Sequence, residues 1–252
     1  MRPSMTISEK LLWLAAELGK EQRQLVILQE GCVSARTGPG RFLTKAEGAV
    51  LGSLVPAELT ECEDAPLQTL FDMPQLDINH RVLREARVDP AAQPPGTEAV
   101  LHSWLLRLEG VSFAAQVHPV GCLQVLCSPA GERFADHRMF PEEVFAFGSQ
   151  AVHVPYSDPG IPMAREIRSK MVLNLRRNRG RAPSLILVQN FGIYALGATA
   201  ESVLRIVLTA EKAAQVFVGA SRLGGPVFLP PQQIVRLEIP ANDGLHKSLI
   251  KL

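Results

Sequence analysis

The chain of 252 residues is 46% hydrophobic and carries 26 Lys and Arg against 25 Asp and Glu, a formal net charge of +1. That length buries a sizeable core, and so even a balance of charge leaves no overall field to recruit nucleic acid or an anionic membrane. No apolar stretch reaches the roughly 18 residues of a membrane span, and Glu9, Lys10, Glu17 and Lys20 break up any secretory leader, so the expected setting is cytoplasmic.

Thr6-Ile7-Ser8-Glu9 has the form of a capping box, and Leu11, Leu12, Trp13, Leu14, Ala15 and Leu18 follow as a helix that Gly19 stops. Leu25–Leu28 is an apolar run of strand length. After it come a small-residue bend around Gly31-Cys32-Val33-Ser34, the turn-rich Thr37-Gly38-Pro39-Gly40 and a further strand at Arg41-Phe42-Leu43-Thr44. From Ala46 to Pro95 the chain is punctuated by prolines and reads as loops and short elements. Cys32, Cys62, Cys122 and Cys127 form no CxxC pair and no zinc-finger spacing, and read as reduced, mostly apolar positions.

A helix is expected from Glu98 onward, because Val100, Leu101, Trp104, Leu105 and Leu108 recur at helical spacing and place Glu98 and His102 one turn apart. Phe113–Pro119 is a strand whose alternation turns Gln116 and His118 to one side. A helix running into a strand can aim Glu98 and His118 at one point, which is raw material for a divalent metal site or an acid/base pair. A zinc enzyme normally has three protein ligands and an open position, and these residues supply two good ones. Helices are expected over Val120–Cys127, Pro141–Gln150 and Ile161–Leu175, with an extended piece at Val152–Gly160. Ser184–Val188 and Ile193–Leu196 read as strands, and Thr199 caps the clearest helix of the chain, Ser202–Val218. The basic run Arg176–Arg181 ends a helix, where cations suit the dipole, and enters a loop. The tail from Gly219 is rich in Pro and Gly, with a helix expected at His246–Leu252.

Taken in order, Gly31-Cys32-Val33-Ser34 with Phe42–Gly48, Glu98–His102 with Gln116-Val117-His118, Val154–Gly160, and Val188–Gly192 with Gly197–Glu201 resemble the class II aldolase/adducin family over about Leu11–Val218. The resemblance implies a three-layer α/β/α sandwich with a mixed, mostly antiparallel central sheet. It also implies one domain over residues 1–252, with its core at about 11–218 and a tail at 219–252, in a homo-oligomer, commonly a tetramer, with sites at subunit junctions. In catalytic members a Glu, a His-x-His strand and the His of an Asn-His-Gly turn surround a divalent metal, usually zinc, and a Tyr from a Pro-Tyr stretch protonates the leaving fragment. Carried onto this chain, Glu98 matches the Glu, His118 the second His and Tyr156 the Tyr, while Gly31, Ser34, Gly48 and Thr97 stand where a phosphorylated substrate is held.

The departures from that pattern decide the expected function. Gln116 replaces the first His of the pair, Phe191 replaces the His of the turn, Cys32 replaces an Asn, and Gly96 and Thr97 stand where Ser residues often precede the Glu. A Gln carbonyl is a poor zinc ligand and Phe is none. Structural zinc sites draw about 10–16 kcal/mol from four strong ligands, so half a set leaves weak, exchangeable binding at best. The expectation is a homologue with non-catalytic or altered function and no resident cofactor, holding a small phosphorylated or hydroxy-acid ligand. The alternative keeps zinc or another divalent cation on Glu98, His118 and a third ligand from among His102, His153 and Cys122, as a lyase of aldolase, decarboxylase or epimerase type. Metal-free acid/base chemistry through Glu98, His118 and Tyr156 stays open beside these.

Overall fold

The computed structural model describes residues 5–73 and 80–238. In chain order it contains α1 (Ile7–Leu18), β1 (Cys32–Gly38), β2 (Arg41–Lys45), β3 (Leu59–Glu63), α2 (Asp64–Thr69), α3 (His80–Glu85) and α4 (Ala99–Leu105). There follow β4 (Phe113–Val117), α5 (Val120–Leu126), α6 (Gly131–Asp136), α7 (Pro141–Phe147), β5 (Val152–Val154) and α8 (Ile161–Arg177). The last elements are β6 (Leu185–Val188), β7 (Gly192–Gly197), α9 (Ala200–Arg222) and α10 (Pro231–Glu238). The seven strands form one sheet in the order β3-β2-β1-β4-β7-β6-β5, in which β5 and β6 run parallel and every other pair is antiparallel. This is the mixed, mostly antiparallel α/β sandwich expected.

Strand alternation divides the sheet into two faces. The rung Val33-Ala115-Ala195-Leu185 lies on the face covered by α1, α5 and α9, whose core includes Leu11, Leu14, Val203, Val207 and Phe217. The neighbouring rung Cys32-Gln116-Tyr194-Ile186 lies on the opposite face, covered by α4 and α8 through residues such as Leu101, Leu105, Ile167 and Met171. Side-chain caps fix the starts of α1 and α9. In α1 the Thr6 hydroxyl accepts from the Glu9 amide at 3.2 Å while the Glu9 carboxylate accepts from the Thr6 amide at 2.7 Å, which closes the expected capping box. In α9 the Thr199 hydroxyl accepts from the Ser202 amide at 3.1 Å, and the helix runs on to Arg222, beyond the expected Val218.

Three local expectations are corrected, and a fourth is untested. Leu25–Leu28 is not a strand: Gln24 and Leu28 both take left-handed conformations, and both edges of the nearest strand, β1, are already occupied by β2 and β4. The segment instead closes over the end of β4, where the Leu25 carbonyl accepts from the His118 amide at 2.9 Å. Cys32–Gly38 forms one continuous strand rather than a bend and a short strand. The edge strand β3 escapes a search for apolar runs because the residues it turns inward are Thr60 and Cys62. In the tail, α10 forms at Pro231–Glu238, and the helix expected at His246–Leu252 lies outside the described residues.

One buried carboxylate ties together two helices of the layer behind the end of β4. Glu211 of α9 accepts from the Gly121 and Cys122 amides at 2.9 and 3.0 Å, two of the unsatisfied donors at the start of α5, which follows His118-Pro119 directly. Truncation would leave both buried N–H groups unpaired, so Glu211→Ala is expected to lower the unfolding free energy by about 1–3 kcal/mol in chemical denaturation.

Candidate functional site

The site grows from the rung Cys32-Gln116-Tyr194, which crosses the centre of the sheet beneath the start of α4. All three side chains are buried. Glu98 takes the N-cap position of α4, and its charge, after burial itself, helps push the Cys32 thiol up to about 12 and raise the Tyr194 phenol, which places the carboxylate over that rung. The carboxylate folds back over Gly96, where an added Cβ would come within 2.5 Å of Oε2. Gly96 in place of a serine therefore makes room for this position of Glu98.

His118 lies one alternation beyond Gln116 on the same face. Its Nδ1 sits 2.6 Å from the Phe191 carbonyl oxygen, and its Nε2 sits 2.7 Å from Nε2 of Gln116. A carbonyl only accepts, so Nδ1 carries a proton and donates it; a neutral imidazole then has its lone pair on Nε2, and the Gln116 amide donates to it. Both ring nitrogens are thus used by the protein. The Phe191 carbonyl reaches Nδ1 because Gly192 has no side chain: a Cβ there would lie 2.6 Å from the Val117 carbonyl oxygen and 2.9 Å from Nδ1. The Phe191 ring meets the His118 ring edge-on, with centroids 5.0 Å apart, and stacks toward Tyr194 at 6.5 Å.

Behind the rung lies a pair that spacing along the chain could not reveal. Ser34 Oγ and His102 Nδ1 are 2.6 Å apart, both residues are fully buried, and His102 Nε2 has no hydrogen-bond partner among the described residues. Burial pushes the His102 pKa down to about 3. Ser34, expected to offer its hydroxyl to a ligand, is instead sealed against His102. The signal for this pair was the placement of His102 one turn after Glu98, combined with the inward alternation of Ser34, which needs the register of β1 and α4 to become visible.

The remaining expected residues are spread around this centre. Gly31 takes a left-handed conformation, with the Gln116 carbonyl oxygen only 3.0 Å from where a Cβ would stand. Gly48 belongs to the turn that meets Pro94-Pro95, just before Thr97 in the chain, through the Glu47 amide and an isolated Ala46–Pro95 bridge. Tyr156 is 51% exposed, and its hydroxyl donates to Asp158 at 3.2 Å. It follows β5, three strand spacings or about 14 Å from β4 across the sheet, and so is not brought to the Glu98–His118 group within one chain.

Few donors for the family's metal gather at this centre. Glu98 contributes one carboxylate, the His118 lone pair already accepts from Gln116, and Phe191 contributes a ring. Among the described residues no group of three or more His, Cys, Asp or Glu side chains is arranged to hold an ion. Nor do the third ligands considered converge. His102 is held by Ser34 through Nδ1 while its Nε2 is enclosed without a partner among the described residues, Nε2 of His153 meets Gln189 at 2.9 Å, and Cys122 lies on the opposite face of the sheet, in the core with α9.

His102 also sets a pH dependence. In the unfolded chain it takes up a proton below its ordinary 6.5, whereas the folded state keeps it neutral to about 3, so the stability it contributes is complete above pH 6.5 and is lost as pH falls toward 3. The wild type is expected to lose more unfolding free energy across that window than His102→Asn, by up to about 1.4 kcal/mol per pH unit, measured by urea denaturation at a series of pH values.

Comparison with known proteins places this geometry in context. The family model described as the class II aldolase and adducin N-terminal domain matches residues 10–218. A comparison with curated proteins gives no match. Among solved structures, the N-terminal class II aldolase domain of a conserved protein from Thermoplasma acidophilum is similar at a TM-score of 0.68 and 15% identity, over 86% of this chain and 96% of that one. An aldolase II superfamily protein from Pseudomonas syringae gives 0.67 and 18% over 98% and 87%, and an L-fuculose 1-phosphate aldolase from Glaciozyma antarctica gives 0.63 and 14% over 94% and 85%. At these identities the likeness is one of fold.

Proposed function

Because the chain belongs to the class II aldolase and adducin family, we propose that it is a member whose site has given up the metal, acting as a non-catalytic or altered-function homologue that binds a small ligand. The observation that carries this reading is the amide of Gln116 donating to the His118 nitrogen that would otherwise meet a metal. A Lewis acid at that nitrogen would have to displace a hydrogen bond that the buried amide cannot easily make elsewhere. Phe191 adds to the effect, since its ring stands where a further donor would be needed and its carbonyl holds His118 in the tautomer that accepts from Gln116.

The ligand is small and polar, of the phosphorylated or hydroxy-acid kind, received at the rim formed by Gly31, Gly48 and Thr97 with Glu98 beside it. A structural neighbour that is an L-fuculose 1-phosphate aldolase supports a sugar-phosphate-like shape. The whole chain acts as one domain in the cytoplasm and assembles as a homo-oligomer, a tetramer by likeness to the family. No described helix is long and apolar enough to cross a membrane.

The second reading, a divalent-metal-dependent lyase on Glu98 and His118, is favoured by the retained Glu98, which sits at the rung with its carboxylate free to serve as acid or base. Substituting Glu98 by Ala would abolish such turnover, and unchanged activity would discard it.

Metal analysis of protein purified without chelators separates the two readings. The expected result is zinc well below one equivalent per subunit, with Gln116→His/Phe191→His gaining tight, near-stoichiometric zinc because it restores two imidazoles beside Glu98 and His118. One tightly held zinc in the unaltered protein would end the metal-free reading.

A further inference from the structure

The basic run Arg176–Arg181 is left unused by the site above, and the fold gives it a place. The turn after α8 lines a cavity of about 500 Å³ together with Ser184 at the start of β6, Gly197 at the end of β7 and Arg205 in the second turn of α9. Gly197 is paired with Phe113, whereas Ile193 is paired with Val117, so the cavity opens at the other end of β4 from His118, four residues or about 14 Å along the strand. It is therefore separate from the Glu98 rung.

Its electrostatics are one-sided. Arg179, Arg181 and Arg205 line it against one carboxylate, Glu109, a balance of three cations to one anion. Among the described residues none of the three guanidiniums takes part in an ion pair. Arg205 is the informative member. Its Nε is buried and has no hydrogen-bond partner among the described residues, and burial lowers its pKa. The side chain as a whole is only partly buried and lines the cavity, and an arginine fork matches the geometry of a phosphate oxygen pair. The cavity also meets the start of the 23-residue α9 at Ala198 and Ser202, where the helix dipole is positive. Its volume falls within the range of pockets that enclose a metabolite-sized molecule.

We propose that this cavity is a second ligand site, one that takes the phosphate group of a small phosphorylated metabolite on Arg205, Arg179 and Arg181. A doubly charged phosphate ester or a pyrophosphate has both the oxygens and the charge to serve all three arginines at once, whereas a neutral sugar lacks the charge and a single carboxylate lacks the oxygens.

Calorimetric titration of the full chain with inorganic pyrophosphate at 0.15 M salt tests the assignment. The expected result is saturable binding with a component assigned to this cavity, which Arg205→Gln and Arg181→Gln each weaken at least tenfold. The second variant changes an exposed residue and so reports on binding even if the first perturbs folding. Thr97→Val, at the Glu98 rim, is expected to leave the affinity unaltered. Absence of saturable binding, binding indifferent to both arginine substitutions, or binding lost with Thr97→Val would each overturn the assignment, the last by showing that the phosphate sits at the Glu98 site. None of these results bears on whether that other site holds a metal.

Discussion

The amide of Gln116 and the imidazole of His118 occupy the one spot on the sheet where chemistry would be expected, and they satisfy each other. A hydrogen bond between neutral groups is modest in net terms, about 0.5–1.5 kcal/mol, but breaking one member of a buried pair costs the desolvation of whatever is left unpaired. Gln116 is buried at the centre of the sheet, so its donor has few alternatives. The pair is held from both sides: the Phe191 carbonyl fixes the His118 tautomer, and Gly192 allows that carbonyl to approach. Four residues on or next to two adjacent strands thus hold both imidazole nitrogens in hydrogen bonds within the protein.

Everything around the pair serves to hold the end of β4 still. The strand is buried along its whole length between β1 and β7, the Leu25 carbonyl receives the first amide beyond it, and α5 starts immediately afterwards under the Glu211 carboxylate. On the face that carries the site, α4 contributes Glu98 at its cap and His102 one turn on, so one short helix supplies both the carboxylate over the rung and the neutral imidazole behind it. The two faces divide the work. Aliphatic packing with α1, α5 and α9 lies on one, and the polar rung with its aromatic neighbours lies on the other.

Much of this was legible in the sequence, and the parts that were not have physical reasons. The β4 strand, the turn of Gln116 and His118 to one side, the α1 capping box and the Thr199 cap follow from local periodicity and side-chain chemistry, which do not depend on distant partners. Leu25–Leu28 has the composition of a strand, but strands need a free edge, and that is a property of the whole sheet. Cys62 and Thr60 point inward on an edge strand that no apolar run announces. Gln116 and Phe191 were readable as departures from the family's pattern. That the Gln would use the vacant direction to donate to His118, and that Ser34 would face His102 rather than a ligand, required the register between β1, β4 and β7. The cavity around Arg205 was invisible for the same reason, since its arginines come from two helices' ends that are 24 residues apart between Arg181 and Arg205.

The central claim is a statement about one proton and one lone pair, and nitrogen-15 NMR of the His118 imidazole reads both. The account expects the Nδ1–H tautomer, with Nε2 at the shift of a hydrogen-bonded acceptor and unmoved when one equivalent of zinc is added. An Nε2–H tautomer, or an Nε2 resonance that moves to a metal-bound position on that addition, would contradict it.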